Sequence, residues 1–304
     1  MVHCSNSLLL RAVGRLSICA GFCWAVSAQS ALGQDCRIYT VVHDLRTSNA
    51  GAPTKNESSE ARSIVGRSLS LFHAGTVYDY LDSIGEVTVF DPACGGFWLV
   101  SPSRRKVAWA SLTELQRLVD EDEERAATHC LKLATLSDHE HPIELNRTRF
   151  LLAPDFRETW DAERSQLRLN GSFCEYRVRC TPPQSPTFVE AYFRYADWTA
   201  KLNYLLHPRV LWPASRIRLN AVLRERRVLP IEVELAVTPR QEMRLCAKHS
   251  LSWTLESKDR AMIRDFEAML QDKHFERISF RTFRRGTLEP GVVTESTARP
   301  ATLR

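Results

Sequence analysis

The most constraining feature is a run from Met243 to Leu255. It places Met243, Leu245, Ala247, His249, Leu251, Trp253 and Leu255 on one face and Arg244, Cys246, Lys248, Ser250, Ser252 and Thr254 on the other. This period-two alternation marks a β-strand. At ~3.3 Å per residue it spans ~43 Å, far beyond the usual five or six residues. A strand this long with one greasy face demands a long, curved antiparallel sheet whose apolar side is covered. Leu229, Ile231, Val233, Leu235 and Val237 repeat the pattern just upstream.

Short alternating segments at 68–73, 76–81, 86–90, 97–100 and 106–110 are punctuated by Ala74-Gly75, Ser83-Ile84-Gly85, Asp91-Pro92 and Gly95-Gly96. Short loops imply an antiparallel meander, because parallel strands need long crossovers. Ser111 with Glu114 three residues on has the capping-box spacing for a helix. Arg149–Ala153, Gln166–Asn170 and Ser172–Thr181 read as strands, the last two joined by the hairpin signal Asn170-Gly171. Ser185-Pro186 opens an aromatic-rich helix to about Leu206. Further helices are expected over Ala214–Arg226 and Lys258–Lys273, with a last strand over Glu276–Phe280. The sum is an α+β fold: a curved, half-barrel-like antiparallel sheet with amphipathic helices packed on its apolar face.

Residues 1–28 read as a signal peptide. Arg11 and Arg15 are followed by the short apolar run Leu16–Val26 and by small residues up to Ala28. The run is too short for a membrane span, so the mature chain is expected to have no transmembrane segment. Residues 29–63 read as a flexible N-terminal linker, rich in Ser, Asn and charge from 44 onwards. Residues 64–283 read as a single α+β domain and 284–304 as a disordered tail.

Without Arg11 and Arg15 the formal charge falls from +5 to +3. That near-neutral balance excludes a typical nucleic-acid binder. The cluster Arg216, Arg218, Arg224, Arg226 and Arg227 reads as a solvated helix face. An even set of six cysteines outside the signal, Cys36, Cys94, Cys130, Cys174, Cys180 and Cys246, supplies disulfide candidates for a secreted or periplasmic chain, with buried thiols as the alternative. Cys174 and Cys180 lie on one strand and cannot bond each other while it is extended.

The sequence contains no GxSxG, no HExxH and no phosphate-binding glycine loop, so no cofactor is expected. Asp138, His139 and His141 are the candidate metal ligands, since side chains at i and i+2 of an extended segment point the same way; with Glu140 they also read as a polar loop before Pro142. Asp155, Glu158, Asp161 and Glu163 would serve a hydrolase only if they met as paired carboxylates. A curved sheet closed by helices encloses either a packed core or a pocket. If a pocket, Phe188, Tyr192, Tyr195 and Trp198 of the aromatic helix, with His249 and Trp253, are the candidate ligand-binding residues. The alternative is that these large side chains simply pack as core.

The stretch SLSLFHAGTVYDYLDSIGEVTVFDPACGGFWLVSPSRRKVAWASLTELQRLV resembles the strand meander of lipoprotein-carrier-type half-barrels, with GTVYDYL, GEVTVFDP and FWLVSPSRRKVAWAS ahead of a helix. As a whole the chain is similar to secreted bacterial proteins. The carrier resemblance implies a periplasmic protein holding an acyl chain in an apolar cavity. The expectation is therefore an exported, non-enzymatic protein binding an apolar small molecule, a lipid or a partner segment. The alternatives are an envelope structural or interaction protein, and a hydrolase using residues 138–163.

Overall fold

The computed structural model describes residues 34–45, 63–135, 142–207, 211–237 and 243–288. A meander comes first: β1 (Cys36–Asp44), β2 (Ser63–His73), β3 (Thr76–Leu81), β4 (Glu86–Asp91), β5 (Gly96–Ser101) and β6 (Lys106–Ser111). Two helices follow, α1 (Leu112–Thr135) and α2 (Pro142–Leu152). A second run of strands comprises β7 (Arg157–Asp161), β8 (Gln166–Asn170), β9 (Cys174–Thr181), β10 (Leu229–Val237) and β11 (Met243–Ser252). Helices α3 (Pro186–Leu206) and α4 (Pro213–Glu225) lie between β9 and β10. The described chain closes with α5 (Ser257–Gln271), β12 (Glu276–Ser279) and α6 (Phe280–Leu288).

All twelve strands join one curved, open sheet in the order β12-β6-β5-β4-β3-β2-β1-β11-β10-β9-β8-β7. Every neighbouring pair is antiparallel except β12 with β6. Each hairpin is local, so the turns set the register. Between β2 and β3, Ala74 at φ 49° and Gly75 at φ 83° form the two-residue turn whose twist matches the flanking strands. The two meanders meet at one seam, where β1 pairs β11 from Arg37↔Ser252 to Asp44↔Leu245. That seam joins parts of the chain some two hundred residues apart, and it lies beneath the candidate site.

One face of the sheet carries the main core. Phe72, Val77, Phe90, Phe97 and Leu99 from the first meander, and Leu167, Leu169 and Val178 from the second, pack beneath α1, α3, α4 and α6. Helix α3 buries eight apolar or aromatic side chains, among them Phe193 and Leu202. Each contributes about 1.5–3 kcal/mol when fully removed from water. The Ser111 hydroxyl accepts from the Glu114 amide at 3.1 Å, so the cap read from the sequence is formed. A second cluster covers the opposite face, where Leu71, Tyr78, Val87 and Val100 meet Ile263 and Phe266 of α5. The sheet is thus covered on both sides around β2 to β6, one layer more than a one-sided sheet requires. Among the described residues no helix is long and apolar enough to cross a membrane.

The structure revises several expected boundaries. The 29–63 linker expectation fails for Cys36–Asp44, which is the central strand β1, and Ser63 already belongs to β2. The tail expectation fails for its first residues, since α6 extends to Leu288. Arg149–Ala153 is not a strand: Arg149–Leu152 form the last turn of α2. The 13-residue strand is ten residues long. It stops at Ser252, and Ser257 soon opens α5 behind a reciprocal cap between Glu256 and Asp259.

None of Cys36, Cys94, Cys130, Cys174, Cys180 and Cys246 is in a disulfide. They are scattered over the turn before β5, over α1 and over three strands, and five of them are buried. Burial pushes the Cys36 and Cys180 thiols up to about 12 and Cys174 to about 11. Such thiols act as small hydrophobes rather than as reactive groups.

Candidate functional site

The strand register builds the floor of a cavity across the seam. Leu81, Ser68, Thr40 and His249 are successive cross-strand partners on β3, β2, β1 and β11. Asp79, Ser70, Ile38 and Leu251 form the neighbouring row. Val42, Ala247 and Val233 form a third. Helices α3 and α4 stand over these rows and leave a cavity of about 440 Å³. The reason lies in α3. Its first half packs Phe188, Tyr192 and Phe193 tightly. Further on, the side chains turned to the sheet are Ala196, Thr199, Ala200 and Asn203, too small to reach it at the helical spacing of three and four. Consequently Met243, Leu245 and Ala247 on the greasy face of β11 stay half-buried and line the space.

Two polar groups face this cavity from opposite sides. On β3, Asp79 is buried and its Oδ1 accepts from the Ser70 hydroxyl at 2.6 Å. Tyr195 of α3 also hydrogen-bonds it. Burial outweighs both bonds and raises the carboxyl to about 6. The same burial, with the Asp79 charge beside it, drives the Tyr195 phenol far above its ordinary range.

On the seam, the His249 Nδ1 lies 2.8 Å from the Thr40 hydroxyl. Its Nε2 is buried without a hydrogen-bond partner. Burial first, and the nearby Arg216 charge second, lower this imidazole to about 4, so it is neutral at ordinary pH. Arg216 of α4 lines the same side of the cavity. Its Nε donates to Asn220 Oδ1 at 3.1 Å; Asn220 Nδ2 in turn donates to Asp197, which also pairs with Arg224. The ion pairs of the described residues do not include Arg216 itself. Tyr192 and Tyr176 complete this side; Tyr192 hydrogen-bonds the Arg216 side chain and Tyr176 lies near its charge. Three inter-strand steps of about 4.8 Å put Asp79 and His249 ~14 Å apart along the sheet.

Of the expected binding residues, Tyr192, Tyr195 and His249 line the cavity. Phe188 does not. It is 2% exposed and packs edge-on against Trp253 at 5.2 Å and Phe72 at 4.9 Å, which places Trp253 in the core boundary too. Trp198 turns toward α1, with the Lys201 ammonium 4.3 Å above its ring. Asp138, His139 and His141 lie outside the described residues. Glu158 is spent on Arg226, and Asp161 on Arg164 at 3.5 Å, both from the edge strand β7. These two carboxylates are each committed to an arginine rather than to one another.

The residues that sequence reasoning missed are Asp79, Ser70, Thr40, Arg216 and Asn220. A signal existed for Asp79, a lone carboxylate in the apolar row of Val77 and Leu81. Arg216 was hidden among solvated arginines. On the opposite sheet face, the ligand atoms of Glu232, Glu234 and Cys246 lie within 4.8 Å of one another, although Glu232 is also paired with Arg179 at 3.0 Å. No protein-family model matches the sequence, and neither does any curated protein.

Proposed function

We propose that this chain is an exported, non-enzymatic binding protein that holds an apolar or amphipathic small molecule between α3, α4 and the β1/β11 seam. The observation that carries the reading is the space itself. A cavity of about 440 Å³ is preserved by small residues on α3 while the core on either side is tightly packed. Protein interiors are otherwise close-packed, and apolar surface left beside an opening costs about 25 cal/mol per Å². A ligand recovers that cost. The volume falls in the range of small-molecule sites, which combine apolar walls with a few placed polar groups. The carrier resemblance and the signal-like residues 1–28 support the same reading and its periplasmic or secreted setting.

Titration with an environment-sensitive apolar dye such as N-phenyl-1-naphthylamine tests it. The wild-type chain is expected to bind one dye molecule with a blue-shifted emission. The Ala247→Trp variant, whose ring would occupy the floor of the cavity, is expected not to. Equal dye binding by both folded proteins, or by neither, overturns the reading.

A further inference from the structure

We infer that the ligand carries a carboxylate at one end, seated between the Arg216 guanidinium and Nε2 of His249, with its apolar remainder running over Val42, Leu235 and Leu245. This deepens the binding reading above and rests on it. The carboxylate end follows from what the seam side of the cavity lacks. His249 lines the cavity, and its Nε2 is buried without a partner, an unmet hydrogen bond that a ligand acceptor would fill. Arg216 brings a permanent positive charge to the same side, and no carboxylate of the described residues forms an ion pair with it. Asn220 takes its Nε and Tyr192 hydrogen-bonds the side chain, so of the five N–H donors of the guanidinium some are left for a ligand.

A neutral imidazole beside a guanidinium can satisfy an acceptor in one way. The Thr40 hydroxyl donates to Nδ1, and Nε2 carries the proton outward. A carboxylate placed there accepts from Nε2–H and from the guanidinium together, and charge-assisted bonds of this kind are the strong ones. Neither a cation nor a bare hydrocarbon uses these groups. Orientation follows as well: the buried carboxyl of Asp79 lies ~14 Å away across three strands, so a carboxylate at that end would meet a like charge. The cavity has room for roughly fifteen non-hydrogen atoms at about 30 Å³ each, the size of dodecanoate.

The experiment displaces the naphthylamine dye from the whole protein near neutral pH with dodecanoate, dodecanol or dodecyltrimethylammonium. Wild type should prefer the acid to the alcohol by between ~10-fold and ~100-fold, as a charge-assisted bond implies. Arg216→Gln should abolish that preference, its affinity for the acid falling to that for the alcohol. His249→Phe, which keeps an aromatic ring on the strand, should lose part of it, so the inference remains testable if Arg216→Gln does not fold. Equal binding of acid and alcohol by wild type, or an unchanged preference in both variants, refutes the carboxylate while leaving the cavity reading intact. No dye binding and no displacement by any of the three refutes the cavity reading itself.

Discussion

The buried Asp79 carboxylate should weaken the folded state at neutral pH relative to mild acid, and Asp79→Asn should remove that contribution, while the depressed His249 acts in the opposite direction in both proteins. The unfolded chain protonates Asp79 near its ordinary 3.8, whereas burial holds the folded carboxyl near about 6. The folded state thus binds this proton more tightly, and the Asp79 contribution to stability falls as pH rises through that window. The favourable contribution is fully present below the ordinary value and is lost above about 6. At 1.36 kcal/mol per pH unit the gap is worth about 3 kcal/mol. Asparagine keeps the shape and leaves an acceptor for the Ser70 hydroxyl, while removing the charge that must otherwise be buried. Denaturant unfolding of both proteins at several pH values between about 4 and 7 reads the effect. Asp79→Asn is expected to gain up to about 3 kcal/mol over wild type at neutral pH and little or nothing near pH 4. A variant less stable at neutral pH, with the wild-type pH slope retained, would refute the reasoning: the carboxylate would then be stabilised by its bonds rather than penalised by burial.

Other expectations follow from the same packing. Ala200→Leu adds methyl groups to the cavity and should raise stability by about 1 kcal/mol while abolishing dye binding; thermal unfolding and fluorescence titration check both. Phe193→Ala empties a fully buried position beneath α3 and should cost about 3–5 kcal/mol in denaturant unfolding. Among the six described cysteines, only Cys94 is exposed. Alkylation of the native protein followed by peptide mapping should therefore label Cys94 quickly, with Cys36, Cys174, Cys180 and Cys246 modified only after unfolding.

Legibility in the sequence tracked how local each signal was. The hairpins around Ala74-Gly75 and Asn170-Gly171, and the helices α3, α4 and α5, carry their own turns, caps and periodicity and form close to where they were expected. β1 falls within the expected linker, although Ile38, Tyr39, Val41 and Val42 are strand formers, because it runs directly into a polar stretch. It is a central strand, paired with β2 on one side and on the other with β11, some two hundred residues away. β7 has no apolar alternation and exists because β8 offers it an edge. Phe150, Leu151 and Leu152 look like a strand fragment by composition, yet Pro142 at the first position of α2 starts a helix that runs through them. The site divides in the same way. Tyr192, Tyr195 and His249 stand out on patterned elements, whereas Asp79 and Arg216 gain their significance only when β3 and α4 are brought to the same cavity.

Native mass spectrometry of the purified protein, before and after solvent extraction and again after incubation with dodecanoate, tests the central claim most directly. The account predicts one bound molecule of a few hundred daltons or less, removed by extraction and replaced by a single dodecanoate. A protein that carries no added mass in either state, and binds no more dodecanoate than the Ala247→Trp variant does, would contradict it.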